Sequence, residues 1–431
     1  MDKARRAAYI ALSDVESDKA YSNIAIQNVL KKHYRGKAAF VRELVYGTIR
    51  NKLYLDYIIS KFIKTPVDKL PASDRILLRM GLYQLTSLNS VPDYAAVSET
   101  VELAKRYSKG RESFINGVLR EYLREKDNIE LPSREEDEIA YLSIKYSFAP
   151  WIIKMWLDEF GSAGKVEELL AAFNSRPSLC IRVNTLKTDP EGLKKRLEKL
   201  GYSVEEDADV DDIFYIAGDS PLGTDLFKAG LFSVQGKASR IAVKSLDAQP
   251  GETVIDICAA PGGKTMAIAE SMKNIGKIIE TDIYKRKLKL IEDEAVRLGV
   301  RIVETSSWNG RVVDSDLIDS ADRVLVDAPC SGLGTARHKP EVKYKEYDDA
   351  MESLPRMQLD ILKASAHYVK LGGILVYSTC TVARHENQGV VDAFMRSNDE
   401  FEEIETIQLL PTEEKTDGFF ICKMKRASAK H

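Results

Sequence analysis

Two cysteines that follow two predicted strands are the residues of this 431-residue chain best placed to do chemistry. Cys330 comes just after the apolar run 322–327, and Cys380 comes just after the apolar run 374–378. A lone buried cysteine usually acts as a small hydrophobic residue, but the carboxyl ends of neighbouring parallel strands are where an α/β sheet holds its ligands. A thiolate in that place is a nucleophile, and position alone leaves open which of the two cysteines attacks.

A strand, a glycine turn and a helix are predicted for the segment 253–265, which reads TVIDICAAPGGKT. The apolar, β-branched start is typical of a strand buried on both faces, and Gly262 and Gly263 let the turn approach a ligand closely. The segment is not a P-loop, because Cys258 stands where that motif needs its first glycine, and no G-x-G-x-x-G dinucleotide motif is present. The turn by itself is equally compatible with a plain tight connection.

An acidic residue ends the next predicted strand, 277–282. In doubly wound sheets a carboxylate at this place accepts hydrogen bonds from both hydroxyls of a ribose, so we assign Asp282 to that role. The alternative is that Asp282 caps the helix predicted for 285–298. The sheet of this α/β region is completed by further predicted strands at 300–303, 322–327 and 374–378.

The N-terminal part of the chain is predicted to be a helical bundle. Residues 1–126 have helical apolar spacing throughout, and 74–88 is apolar on most of its circumference, as expected for a central helix. The net charge of −3 divides into +7 for residues 1–130 and −10 for the remainder. This asymmetry favours contact with nucleic-acid phosphates, although a solvated surface explains it equally well. The basic side chains that we expect to face RNA are Arg5, Arg6, Lys31, Lys32, Arg35 and Lys37.

A middle segment separates the bundle from the α/β region. It begins with a polar, acidic stretch that contains Pro132 and is typical of a linker. A helix is expected over 146–160, and the best strand of the segment is 178–184, which includes Arg182. We therefore predict a helical domain at 1–126, a linker at 127–138, a small α+β connecting or RNA-binding module at 139–235 and an α/β domain at 236–431.

Composition excludes several classes of protein. The hydrophobic fraction of 44% and the charged fraction of 30% are ordinary for a soluble globular protein. No apolar run is long enough for a membrane span, and the first residues lack the apolar core of a signal peptide. Five cysteines without a C-x-x-C pair argue against a zinc site and indicate reduced thiols. We therefore expect a cytoplasmic monomer that binds neither a metal nor a membrane.

Three motifs carry a family resemblance. The sequences CAAPGGKT at 258–265, DAPCSG at 327–332 and STCT at 378–381 resemble the Nol1/Nop2/Sun family of RNA 5-methylcytosine methyltransferases. Residues 1–126 resemble the NusB-like RNA-binding domain through the sequences RELVYGTIR, LLRMGLYQL and FINGVLR. The resemblance covers nearly the whole chain and is strongest to bacterial members that methylate 16S ribosomal RNA. It implies a class I, Rossmann-like methyltransferase domain that uses S-adenosylmethionine.

The resemblance also implies roles for single residues. Cys380 corresponds to the nucleophile that attacks cytosine C6, Cys330 to the second cysteine that assists release, and Asp327 to the acid beside the base and the methyl donor. Ser306 stands where the family usually has the acid that contacts adenine. The target cytosine has to be unstacked, which favours a single strand or a loop. The resemblance places around the cofactor Cys258, Ala259, Ala260, Pro261, Gly262, Gly263, Lys264, Asp282, Ser306 and Asp327.

Other functions stay open at this point. A non-catalytic RNA-binding factor needs only the helical domain, and the intact cysteines and glycine turn argue against it. A small-molecule or protein methyltransferase needs neither a basic helical domain nor paired cysteines. Within the resemblance, another RNA such as tRNA remains an alternative substrate.

Overall fold

The computed structural model describes residues 2–18, 21–36, 38–412 and 415–427. The chain divides into two compact units, one built from 1–174 and 336–346 and the other from 175–335 and 347–431.

The first unit is helical. In its described part the helices are α1 (Lys3–Asp18), α2 (Ser22–Lys32), α3 (Ala38–Arg50), α4 (Lys52–Phe62), α5 (Ala72–Ser87), α6 (Asp93–Tyr107), α7 (Glu112–Glu125), α8 (Glu138–Tyr146), α9 (Pro150–Phe160) and α10 (Ala163–Asn174). Helix α5 packs against α1, α3, α4, α6 and α7, which confirms the predicted central helix. Its leucines Leu77, Leu78 and Leu82 have no exposed area, and burying each side chain stabilises the bundle by roughly 1.5–3 kcal/mol.

Two of the predicted RNA-facing arginines are engaged inside the bundle. Arg5 is buried, and its Nε donates to Oε1 of Gln84 at 2.7 Å. Arg6 donates through Nε to the hydroxyl of Tyr107 at 3.1 Å. The prediction of an RNA-facing side chain is therefore wrong for Arg5, because a buried guanidinium that satisfies a core amide is structural. In contrast, Lys31, Lys32 and Arg35 are exposed, and Lys37 lies outside the described residues.

The segment 336–346 belongs to the helical unit although it follows the Cys330 motif closely in sequence. Lys343 is fully buried there, and its Nζ donates to the Arg50 carbonyl at 2.6 Å and to Oδ1 of Asn174 at 2.7 Å. Burial lowers the pKa of Lys343 well below its usual value, and the nearby Arg50 charge adds to that effect. Glu341 accepts from the Ser22 hydroxyl at 2.8 Å. These contacts assign the segment to the bundle.

The predicted boundaries of the four segments stay predictions, but the structure divides the middle one. Helices α8 to α10 belong to the helical unit, and the strands that follow belong to the second unit. The helix expected over 146–160 begins at Pro150, because Ser147 has a left-handed backbone with φ of 59° and ends α8.

The second unit begins with a small antiparallel sheet in the order β2-β3-β1-β4. Its elements are β1 (Leu179–Val183), α11 (Pro190–Lys199), β2 (Ser203–Glu206), β3 (Ile213–Ala217), α12 (Asp225–Lys228) and β4 (Phe232–Val234). Ile181 and Val183 of β1 pack with Leu193 and Leu197 of α11, so the alternating strand predicted here buries one face against a helix.

The larger sheet confirms the predicted doubly wound α/β architecture. Its order is β10-β11-β9-β8-β5-β6-β7, with β5 to β9 parallel and β10 and β11 antiparallel at one edge. Its elements are α13 (Lys237–Leu246), β5 (Thr253–Ile257), α14 (Gly263–Ser271), β6 (Lys277–Asp282), α15 (Lys285–Leu298), β7 (Val303–Ser307), β8 (Ala321–Asp327), α16 (Asp349–Glu352), α17 (Leu354–Ala366), β9 (Val369–Thr379), α18 (Gln388–Met395), β10 (Phe401–Leu409) and β11 (Phe419–Arg426). Buried apolar residues cover both of its faces, as a central parallel sheet requires.

The third parallel strand lies later in the chain than predicted. Residues 300–303 were expected to form it, but β7 runs from Val303 to Ser307. The reason is the end of α15, where Gly299 adopts φ of 79° and the Val300 N–H donates to the Ala295 carbonyl at 2.9 Å. The start of the expected strand is thus used to close the helix.

Candidate active site

The two predicted cysteines meet at the carboxyl edge of the larger sheet. Strands β8 and β9 are parallel neighbours, with Asp327 opposite Ser378. The loops that leave these strands bring Sγ of Cys330 within 3.3 Å of Sγ of Cys380. Both cysteine residues keep part of their surface exposed. The structure therefore brings together the pair that the strand ends predicted.

The environment of Cys330 distinguishes it chemically from a reactive thiolate. Its hydrogen bond with Cys380 raises its pKa well above the usual value, and burial raises it further. Cys330 accordingly keeps its proton near neutral pH, and it can donate that proton to the sulfur of Cys380. The contact can therefore hold one thiol and one thiolate side by side.

Lys264 and Asp327 form an ion pair beside the cysteines. Nζ of Lys264 lies 2.6 Å from Oδ2 of Asp327, and the Ser378 hydroxyl donates to Oδ1 at 3.0 Å. Burial alone would lower the pKa of Lys264, but the Asp327 carboxylate beside it, by its charge and its hydrogen bond, raises the pKa above its usual value. Lys264 is therefore a cation, and the charge of Cys380 is among the influences that keep it so. A positive charge in this place stabilises negative charge on a sulfur or a bound base.

The glycine turn between β5 and α14 forms a cradle. Cys258 and Gly262 have left-handed backbones, with φ of 61° and 93°. A Cβ at Gly262 would lie 3.0 Å from Cγ1 of Ile291, so glycine is needed both for conformation and for space. Across the turn, a Cβ at Gly310 would lie 2.9 Å from Cγ2 of Ile257. The free N–H groups of α14 begin here, and they suit an anionic group such as a carboxylate.

Arg182 supports the first turn of α14 from the small sheet. It is fully buried and pairs with Glu270 in two hydrogen bonds of 2.7 and 3.0 Å. Its Nη1 also donates to the carbonyl of Gly263 at 3.0 Å and to Oε1 of Gln235. Sequence reasoning placed Arg182 on a strand but assigned it no role at the turn. The sequence pattern held no signal for this role, because Arg182 alternates with the apolar Ile181 and Val183 and therefore has the face that the pattern leaves polar.

Asp282 ends β6 beside the glycine turn. Its side chain is mostly buried, its Oδ1 accepts from the Tyr284 N–H at 2.8 Å, and Lys287 Nζ lies 3.7 Å from Oδ2. The N-cap of α15 is Tyr284, so Asp282 orders the turn before the helix instead of capping it. Oδ2 makes a long contact with the Lys287 ammonium, and such a loosely held carboxylate oxygen suits acceptance from a diol.

Ser306, which is predicted to line the cofactor site, lies on β7 with its side chain on the opposite face of the sheet from that of Asp282. Thr281 is paired with Ser306, and Asp282 is paired with Ser307. Side chains alternate along a strand, so Ser307 shares the face of Asp282 while Ser306 has the opposite face.

Two buried acids lie behind the turn on neighbouring strands. Asp256 of β5 is paired with Glu280 of β6, and neither has exposed area. Burial raises the pKa of Asp256 to about 7, although a hydrogen bond from the Thr265 hydroxyl acts to lower it. Burial raises the pKa of Glu280 to about 9, and the charges of Asp256 and Asp282 add to it. Both oxygens of Glu280 lack a hydrogen-bond partner within the described structure. This pair is not among the residues predicted from sequence, although each acid stands inside an apolar strand segment.

Two kinds of feature are absent from the residues that the structure describes, a metal cluster and a membrane-spanning helix. There, no group of three or more His, Cys, Asp or Glu side chains could hold a metal ion. In the same residues, no helix is long and apolar enough to cross a membrane.

Three family models match successive parts of the chain. The NusB family matches residues 2–124, a ferredoxin-like domain of RsmF/B-like methyltransferases matches residues 148–222, and the 16S rRNA methyltransferase RsmB/F family matches residues 243–425.

Individual proteins match over almost the full length. The probable ribosomal RNA small subunit methyltransferase B of Bacillus subtilis is 38% identical over 98% of this chain and 98% of its own. The ribosomal RNA small subunit methyltransferase B of Serratia proteamaculans is 31% identical over 97% of this chain and 98% of its own. Among solved structures, PH0851 superposes with a TM-score of 0.86 at 28% identity over 98% of both chains.

Proposed function

Because this chain belongs to the RsmB/F family of 16S rRNA methyltransferases, we propose that it methylates C5 of a cytosine in 16S ribosomal RNA through a covalent adduct with Cys380. The observation that carries the proposal is the 3.3 Å approach of Cys330 and Cys380 beside the Lys264–Asp327 ion pair. A methyltransferase that acts on a heteroatom nucleophile needs no second thiol. Cytosine C5 is a poor nucleophile, and it requires activation by attack at C6.

The cofactor site fits S-adenosylmethionine by the chemistry of its residues. The turn 258–264 with the N-terminus of α14 would hold the methionine end, and Asp282 would hold the ribose. Glycine at 262 and 310 lets the backbone around the turn pack closely against Ile291 and Ile257, where a Cβ would clash. When bound, S-adenosylmethionine supplies an electrophilic methyl group on a sulfonium.

The residues of the site act in sequence on the base. The Cys380 thiolate forms a bond to C6, and the electron pair of the C5–C6 double bond moves into the ring so that C5 becomes nucleophilic. Lys264, which Asp327 holds in place, stabilises the negative charge that develops at N3 of the base. After C5 has accepted the methyl group, Cys330 receives the C5 proton, directly or through a water, and gives its own proton to the Cys380 sulfur as the S–C6 bond breaks. Both cysteines end as thiols, and the aromatic ring is restored.

The test is to compare the two cysteine variants in the full-length protein with 16S ribosomal RNA and labelled S-adenosylmethionine. Cys380→Ala cannot form the adduct, so we expect neither product nor a covalent complex. Cys330→Ala keeps attack and methyl transfer but stalls release, so protein bound to RNA should accumulate and survive a denaturing gel. Cys180→Ala, on β1 of the small sheet, is the matched control and should behave as the parent.

Each result has a distinct meaning. Trapping by Cys380→Ala instead of Cys330→Ala would reverse the two roles. Equal loss of activity without trapping in both would contradict the covalent scheme. Label on protein or a small molecule, with none on RNA, would contradict the substrate class.

A further inference from the structure

Glu386 is a buried acid beneath the loop that carries Cys330. Its Oε2 accepts from the Ser331 N–H at 2.8 Å and from Nε2 of Gln358 at 2.9 Å. The same Gln358 nitrogen donates to the Pro329 carbonyl at 2.9 Å. The residues on both sides of Cys330 are therefore tied to one carboxylate.

The same acid is anchored to the loop that carries Cys380. The Tyr377 hydroxyl donates to the Glu386 carbonyl at 2.7 Å. The next residue, Asn387, donates to the Thr381 carbonyl at 3.1 Å, directly after Cys380. A hydroxyl contact of 2.8 Å between Ser331 and Thr381 joins the two loops. Glu386 thus lies at the junction that sets the separation of the two sulfurs.

Stability alone does not account for an acid at this place. Glu386 is 1% exposed, and its Oε1 has no hydrogen-bond partner within the described residues. A buried carboxylate with one unsatisfied oxygen costs free energy that a neutral side chain of the same shape avoids. The negative charge also acts on Cys330, because it is one of the causes that raise the pKa of that thiol, after the hydrogen bond to Cys380, burial and the charge of Cys380.

We propose that Glu386 is a positioning residue for product release, which holds the Cys330 thiol against Cys380 after methyl transfer. It does not touch the base, and it acts through the loop 329–331. The inference rests on the proposed function, because release presupposes a covalent adduct.

Two substitutions separate geometry from charge. Glu386→Ala removes the acceptor for both N–H donors, so Cys330 should lose its fixed position. Release should then slow by about ten- to a hundredfold, a typical result of misplacing a reacting group, while adduct formation changes little. Glu386→Gln keeps an oxygen for the two donors but removes the charge, so Cys330 should be alkylated at a lower pH than in the parent. Asp392→Asn, an exposed acid on α18, is the matched control.

The experiment measures adduct formation, product release and the pH profile of Cys330 alkylation in the full-length protein, with Cys330→Ala run in parallel. Accumulation of the RNA adduct in both Glu386→Ala and Cys330→Ala supports the inference. Accumulation in Cys330→Ala with parental release in Glu386→Ala overturns the inference and leaves the proposed function standing. No accumulation in Cys330→Ala overturns both. If Glu386→Ala fails to fold, Gln358→Ala takes its place, because it removes the tie between Glu386 and the Pro329 carbonyl. Accumulation of the RNA adduct in Gln358→Ala then supports the inference, and parental release overturns it.

Discussion

Lys264 interacts with two groups of the site, the Asp327 carboxylate and the Cys380 sulfur. Its ammonium binds Asp327 at 2.6 Å, and its pKa stays above the usual value in spite of burial. A cation fixed by one carboxylate still exerts its field on groups around it, and in a site of low dielectric that field is strong. The residue was expected only to line the cofactor turn, and the structure places it between the turn and the cysteine pair.

Cofactor affinity is predicted to depend on Asp282. Asp282→Ala should weaken S-adenosylmethionine binding by about 1–3 kcal/mol, because charge-assisted hydrogen bonds to the ribose hydroxyls are lost. Titration calorimetry measures the change. Asp293→Ala, an exposed acid on α15 that pairs with Lys289, should leave the affinity unchanged. Equal affinities for parent and Asp282→Ala would contradict the ribose assignment.

At the scale of the elements, α14 is held at both ends of its first two turns. The Arg182–Glu270 pair is buried, with each side chain at most 2% exposed. Removing one partner of such a pair typically costs about 3–5 kcal/mol, because the other charge is left uncompensated. The bond from Arg182 to Gly263 makes this pair part of the cofactor cradle. Arg182 of the small sheet thus holds the glycine turn of the larger sheet, within the same unit.

The free energy of unfolding depends on pH through Glu280 of β6. Glu280 has a folded pKa of about 9, against an unfolded value near 4.5, so the folded state retains a proton that the unfolded state releases. This proton difference stabilises the folded state fully below the pKa that Glu280 has in the unfolded chain. The stabilisation is lost as the pH rises to the pKa that Glu280 has in the folded protein. From about pH 5 to about pH 8 the loss amounts to up to about 4 kcal/mol.

Glu280→Gln should therefore lose less stability than the parent over that interval, because the amide does not ionise. Chemical denaturation at both pH values measures the difference. Glu402→Gln, an exposed acid on β10, should follow the parent. If parent and Glu280→Gln lose the same stability, Glu280 does not retain its proton in the folded state.

At the scale of the whole molecule, charge is distributed unevenly along the chain. The excess of +7 over residues 1–130 includes the exposed Lys31, Lys32 and Arg35 at the end of α2 and beyond it. Arg5 contributes to the count but not to the surface. The part of the charge that can meet phosphates is therefore smaller than the composition suggests.

Replacing Lys31, Lys32 and Arg35 together by alanine should weaken RNA binding and flatten its salt dependence. Each lost phosphate contact on single-stranded RNA reduces the logarithmic slope by about 0.7, so the slope should fall by up to about 2. Filter binding over a range of salt concentrations measures it. The triple alanine variant of Lys194, Lys195 and Lys228 removes three surface charges that are already paired with acids. An equal change of slope in both variants would show that the α2 charges have no special contact with RNA.

Local pattern was sufficient for the parts of the protein that depend on neighbours in sequence. The alternation and spacing of apolar residues predicted the helices of residues 1–126 and most strands of the larger sheet. The glycines predicted the turn at 258–264, because its left-handed backbone needs them. The meeting of Cys330 and Cys380 also followed from sequence, since parallel strands that are neighbours end at the same edge of a sheet.

Tertiary structure decided what depends on residues far apart in the chain. The pairing of Arg182 with Glu270, 88 residues later, is not expressed in the periodicity of either segment. Likewise, the assignment of 336–346 to the helical unit rests on the space for Lys343 among the carbonyls of other helices. The support of Cys330 by Glu386 arises because two loops fold back on one carboxylate. Such contacts are selected by packing and by the need to satisfy buried polar groups, and both conditions exist only once the distant segments have come together.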